Sequence, residues 1–202
     1  VVTDLATSLI RPINPDSSTE IELVAARMRQ TLIEVISEEV GSSMYTMEWL
    51  IQRAKFHLDP AQCDGQIFVA ELPSGEIVGH TIVRVEKESG EESAENGEVR
   101  ADNRQRIADN LSDYQPNNQQ PTANNDVFGL FSTFYVLPEY RGQGIATRFI
   151  ETGEAWMRSK QLPRARTYTA ENNEPLHQLM FRHGYEIELR KNDMVSLVKT
   201  LS

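Results

Sequence analysis

Apolar residues recur along this chain with two different periods, and the switches between them mark out most of its elements. Leu9, Ile10 and Ile13 outline a short strand over 9–13, and Pro12 places it at a sheet edge or a strand end. Ile21, Val24, Ala25, Met28, Leu32, Val35 and Ile36 then return every three or four positions. Asp16, Ser17, Ser18 and Thr19 precede them, and each can cap a helix, so the spacing predicts a long amphipathic helix stopping near Gly41. Met47, Leu50, Ile51, Ala54 and Leu58 repeat the pattern over 44–58, where Asp59-Pro60 ends it. Residues 66–72 and 76–86 are β-branched and apolar on either side of Pro73-Ser74-Gly75, which predicts a hairpin.

Residues 127–137 are almost all apolar or aromatic, the pattern of a central strand covered on both faces, and Pro138 closes it. Ile145, Ala146, Phe149, Ile150, Trp156 and Met157 mark the inner side of a following helix. A short strand at 166–170, a helix at 174–183 with Gly184 as its terminating glycine, and a hairpin of 185–189 with 194–201 complete the chain. Trp49 and Trp156 fall on apolar helix faces and read as core residues.

Between the hairpin and the central strand the composition changes. Residues 87–126 contain nine acidic and four basic residues and end in a Gln/Asn/Pro-rich tract, so they hold half of the net charge of −10. Such a stretch buries little, and it reads as a polar, flexible insertion in a single domain of residues 1–202. Val99, Asn103, Ile107 and Leu111 would share one face of a short helix within it; a lid over an active site is the sharper alternative.

With 202 residues, 39% of them apolar, the chain has enough material to bury about 70% of its unfolded surface without a disulfide or structural metal. Cys63 stands alone, which fits a reducing cytoplasm. His57, His80, His177 and His183 lack the spacing of a metal site, so no metal is expected. The net charge has the wrong sign for a nucleic-acid partner and mildly favours amines. No apolar run approaches the roughly 20 residues of a membrane span, and the N-terminus lacks a basic region followed by an apolar one.

The segment that carries chemistry joins the central strand to its helix. In Pro138-Glu139-Tyr140-Arg141-Gly142-Gln143-Gly144-Ile145-Ala146-Thr147, two glycines remove side chains where a ligand would touch the main chain. Bare N–H groups at a helix start, with the helix dipole and Arg141, suit a pyrophosphate. An ordinary strand-to-helix turn would use glycine as well. A Walker A loop is excluded, because Gly144 is followed by Ile145-Ala146 and not by Lys-Ser/Thr. A dinucleotide fingerprint fits poorly, since Pro138 to Arg141 intervene and Thr147 takes the place of its last small residue, although Glu171 stands where a ribose contact would be.

These residues resemble the acyl-CoA-binding motif of the GNAT superfamily of N-acetyltransferases, Arg/Gln-x-x-Gly-x-Gly/Ala, with Arg141, Gly144 and Ala146 at its fixed positions. Asn173, Leu179 and Gly184 are similar to the second signature, Asn-x-x-Ala-x-x-Leu-Tyr-x-x-x-Gly-Phe, with Tyr185 for its phenylalanine and Met180 for its tyrosine. The order of elements also follows the family. The resemblance implies an α/β (α+β) fold, a mixed, mostly antiparallel sheet of about seven strands flanked by about four helices. It implies acetyl transfer from acetyl-CoA to a primary amine of a small molecule or protein, by direct attack in a ternary complex. Phe134, Tyr135 and Val136 would hold the pantetheine, Arg141, Gly142, Gln143, Gly144, Ile145, Ala146 and Thr147 the pyrophosphate, and Asn173 the CoA arm. Family members are often homodimers.

The family's usual proton donor is missing, because methionine at position 180 cannot give a proton; Tyr135 or Tyr168 could substitute. The central strand contains no carboxylate, which leaves His80, Glu171 and the helix acids Glu34, Glu38 and Glu39 as candidate bases. These gaps keep open a second function, a catalytically silent acyl-CoA-binding or sensing module.

Overall fold

The computed structural model describes residues 8–35, 45–88 and 127–201. The predicted end of the first helix near Gly41, Glu38, Glu39, the side chain of Glu34 and the predicted helix at 99–111 lie outside the described residues. In order, the elements are β1 (Leu9–Pro12), α1 (Ser18–Val35), α2 (Met47–Leu58), β2 (Gly65–Glu71), β3 (Ile77–Lys87), β4 (Val127–Val136), a 3-10 turn (Pro138–Tyr140), α3 (Ile145–Ser159), β5 (Arg164–Ala170), α4 (Glu174–Arg182), β6 (Glu186–Lys191) and β7 (Met194–Thr200).

Helix α2 begins at Met47, inside the predicted 44–58, because Thr46 Oγ1 accepts from Trp49 N–H at 3.2 Å and caps it there. Gly184 has φ 80°, the left-handed conformation that ends α4. Asn192 and Asp193, at φ 54° and 58°, form the tight turn that matches the twist of the β6–β7 hairpin. Strand β5 begins two residues earlier than predicted, at Arg164, because the strand pairing with β7 runs from Arg164–Thr200 to Ala170–Met194.

The strands form one seven-stranded sheet in the order β1-β2-β3-β4-β5-β7-β6, in which only β4 and β5 run parallel. Each face of the sheet has its own core. Val24, Ala25, Leu50 and Ala54 of α1 and α2 pack with Ile67, Val69 and Ile82 on one face. Phe149, Ile150, Met157 and Met180 of α3 and α4 pack with Val83, Phe131, Val136 and Leu197 on the other. Central strand β4 is therefore buried from both sides, which is why its sequence is nearly continuous in apolar residues. Helix α3 sits close against it: a Cβ on Gly153 would overlap the Phe131 ring, so the helix backbone itself makes the contact.

Candidate active site

Strands β4 and β5 pair at only three positions, Gly129–Ala165, Leu130–Arg166 and Phe131–Thr167. Beyond Phe131 the two strands part, although β4 continues to Val136 and β5 to Ala170. Thr167 marks the last joint, its Oγ1 donating to Phe131 O at 3.1 Å. On its other edge β4 stays paired with β3, with a register shift between Ile82 and Val83 that leaves Ser132 as the extra residue. Leu137 N–H donates to Val78 O at 2.9 Å. Main-chain groups of alternate residues in an antiparallel pair point to opposite edges, so Phe134 and Val136 turn theirs toward the side β5 has left. The parted edge thus offers main-chain donors and acceptors to a ligand strand or arm.

The chain leaves this edge through the turn that carries both glycines. Gly142 and Gly144 have φ 75° and 80°, and a Cβ on either would meet nothing within 4 Å. Side chains there are disfavoured by the backbone and not by crowding, and the turn presents a bare main-chain surface. The first amide donation in α3 comes from Arg148, to Gly144 O at 3.1 Å, so the N–H groups of Ile145, Ala146 and Thr147 open the helix. No acidic side chain occupies the first turn. Arg141 folds back over the strand end, its Nε donating to Val136 O at 2.9 Å and its Cζ 5.9 Å from the Tyr135 ring centre. Gln143 Nε2 donates to Glu139 O at 2.9 Å and braces the turn. Ile145 anchors it from below with a side chain 1% exposed in the core.

The remaining candidates fall in different surroundings. Tyr135 is buried on the α1/α2 face, stacked on His80 with centroids 6.0 Å apart, and Arg27 Cζ lies 5.9 Å from its ring centre. His80 is fully buried, both its ring nitrogens lack a partner, and burial with the nearby Arg27 charge pushes its pKa down to about 3. Glu171 follows the last residue of β5 at the mouth of the parting, exposed and ion-paired with Arg190 at 2.6 Å. Asn173 caps α4, with Oδ1 accepting from Leu176 N–H at 3.4 Å and Nδ2 donating to Thr169 Oγ1 at 2.9 Å. Met180 is wholly buried in the core. Tyr168 is 48% exposed on β5, and its OH accepts from Arg166 Nη1 at 3.3 Å.

Sequence inspection passed over Arg27, which donates from Nη2 to Ile77 O and leaves Nη1 buried without a partner. Its signal was its position within the apolar stripe of Val24, Ala25 and Met28, where a merely solvated arginine would not stand. Among the described residues no three His, Cys, Asp or Glu side chains converge as a metal set, and no described helix is long and apolar enough to cross a membrane.

A family model described as Acetyltransferase (GNAT) family matches residues 31–185. No curated protein matches the sequence. Among solved structures the fold is similar to a PaiA N-acetyltransferase from Thermoplasma acidophilum in complex with coenzyme A, at 16% identity and TM-score 0.62, covering 96% of this chain and 99% of that one. A GNAT-family acetyltransferase from Staphylococcus aureus Mu50 gives 11% identity and TM-score 0.61 over 97% of this chain and 100% of the other. Ard1 from Thermoplasma volcanium gives 12% and 0.57 over 96% and 98%.

Proposed function

Because the chain belongs to the GNAT acetyltransferase family, we propose that it transfers an acetyl group from acetyl-CoA to a primary amine, by direct attack within a ternary complex. The observation that carries this reading is the junction of two features on one strand: β4 parts from β5 after Phe131, and the same strand runs into the side-chain-free turn of Gly142 and Gly144 at the start of α3. The residues present fit coenzyme A. The N–H groups of Ile145, Ala146 and Thr147, with Arg141, would take the diphosphate, and the main-chain groups of Phe134 and Val136 would take the amide-bearing arm.

Acetyl-CoA supplies an activated acyl group on a thiol that leaves readily, with a pKa near that of cysteine at about 8.5. A proton donor at position 180, where Met180 has no proton to give, is therefore not required. The main-chain N–H on the parted edge polarises the carbonyl under attack. The amine must lose a proton, and between the two described candidate bases, Glu171 and His80, Glu171 meets the requirement better. It is solvent-exposed at the mouth of the cleft, whereas His80 is sealed and reluctant to accept a proton. Tyr135, held between His80, Arg27 and Arg141, shapes the floor beside the cleft, and Asn173 fixes the turn that leads β5 into α4.

The test is calorimetric titration with acetyl-CoA followed by free-thiol release over a panel of primary amines. Binding of one acetyl-CoA per chain with amine-dependent thiol release is the expected result, and Glu171→Gln should lose the acidic limb of the pH–rate profile. Tight binding with no amine-dependent thiol would point instead to a silent acyl-CoA-binding module, and absence of binding would end the reading.

A further inference from the structure

The sheet face under α1 and α2 is covered over only part of its width. Ile82 of β3 packs with those helices, and Arg84 lies on the same side of the strand two residues on. Arg84 pairs with Leu130 of β4 and Leu130 with Arg166 of β5, so Arg166, Tyr168 and Ala170 carry that face onward. There the described residues leave apolar side chains uncovered: Tyr168 is 48% exposed and Leu189 55%, whereas Val195 and Leu197 on the opposite face are wholly buried.

The exposed side chains are aligned. Tyr168 pairs with Ser196 of β7 and Ser196 with Leu189 of β6, so the three form one row across the sheet, and Ala170 with Met194 begins the next. At about 4.8 Å between strands the row spans roughly 10 Å. Two other large apolar side chains are exposed among the described residues, Leu9 on β1 and Phe181 on α4, but only Tyr168 and Leu189 flank a single residue. Grouped apolar surface of this kind marks a binding site, where scattered single residues do not. The row also starts at the cleft: Thr167 is the last residue of β5 joined to β4, so Tyr168 and Ala170 stand on the parted half, and Glu171 follows them.

The charges beside the row are spent on one another. Arg166 holds Glu88 and Glu188, each at 2.7 Å, and Glu188 also accepts from Ser196 Oγ at 3.0 Å. A second ammonium group on an acceptor would have to compete with arginine for Glu188, whereas an apolar group would cover Tyr168 and Leu189 and remove them from water.

We infer that the acceptor is a primary amine with an apolar body, an arylalkyl or alkyl group without a second charge, which lies across Tyr168 and Leu189 with its amino group toward Glu171. This rests on the acetyl-transfer reading and narrows it to a substrate class.

Initial rates of thiol release at saturating acetyl-CoA test it, with phenethylamine, ethylamine and putrescine as acceptors. Phenethylamine should have the highest kcat/KM, at least about tenfold above putrescine, whose second ammonium must lose water against an apolar surface. Tyr168→Ser and Leu189→Ser should each raise the KM for phenethylamine at least about fivefold with kcat held within about twofold, the pattern of lost uniform binding. Ethylamine, which lacks the ring, should show no such change in KM. Tyr168→Phe should recover the KM lost in Tyr168→Ser, because the ring and not the hydroxyl makes the contact. A preference for putrescine, or a KM for phenethylamine indifferent to both serine variants, overturns the inference and leaves acetyl transfer standing. So does a serine variant that changes the sedimentation mass or the thermal midpoint while KM holds, since a second copy or the chain itself would then cover the row. If no amine elicits thiol release, both readings fall.

Discussion

His80 occupies the middle of β3 with neither solvent nor a hydrogen-bond partner, so it behaves as an aromatic ring stacked on Tyr135 until it is forced to take a proton. Above pH 6.5 it is neutral both folded and unfolded and adds no pH dependence. Between 6.5 and its folded value of about 3, the unfolded chain binds a proton that the folded chain refuses, and stability falls by up to ~1.4 kcal/mol per pH unit. His57, also depressed, acts in the same direction. Denaturant melts of the wild type and His80→Phe at pH 7, 6 and 5 should show a shallower loss in the variant; equal slopes would mean that the ring is not sealed. Met180 belongs to the same class of residue. Its position matches a tyrosine in the family signature, yet the side chain is fully enclosed, and Met180→Tyr should cost about 1–3 kcal/mol by overpacking, read as a lower thermal midpoint. Residue by residue, the sequence revealed the groups whose chemistry is local, Arg141, Gly142 and Gly144 in their turn, whereas the cap that Asn173 forms on α4 came from the structure and not from its expected place on the CoA arm. It was silent on the stacking of His80 on Tyr135, on Arg27 against the same ring, and on Cys63 beside His57, because those depend on partners brought together only by folding.

At the scale of elements, the cleft exists because β4 and β5 are joined at one end and free at the other, while α3 is pressed onto β4 through Gly153. Helix and strand must keep this spacing for the α3 turn to stand at the strand's end. Gly153→Val would drive its side chain into Phe131, which is 1% exposed and has no room to yield. The expected outcome is a loss of about 1–3 kcal/mol in stability together with weaker acetyl-CoA binding. Gly144→Val differs, because its Cβ meets only open space: calorimetry should find acetyl-CoA affinity reduced at least about tenfold with little change in thermal midpoint, beyond the ~1–2 kcal/mol of a left-handed backbone. The elements themselves were legible from periodicity, from the capping residues and from the unbroken apolar run of β4. The parting of β4 from β5 was not, since strand pairing leaves no mark in the pattern of either strand alone.

Across the whole molecule, β3 and β4 close on each other at Lys87–Val127, so the 38 residues between Glu88 and Val127 connect two points that are already neighbours. Replacing 89–126 by a short Asn-Gly turn should leave the thermal midpoint within a few degrees and acetyl-CoA affinity unaltered, as the sheet needs only a hairpin there. Glu88 should be kept, because it is paired with Arg164 at 3.0 Å and Arg166 at 2.7 Å. One sheet with a core on each face thus holds the parted end of β4 rigid beside the α3 turn.

Hydrogen exchange with and without acetyl-CoA tests the central claim most directly. The account predicts slowed exchange at Phe134 and Val136 and at Ile145, Ala146 and Thr147, with the amides of β1 and β6 unchanged. Unaltered exchange in the β4 edge and the α3 turn in the presence of bound acetyl-CoA would contradict it.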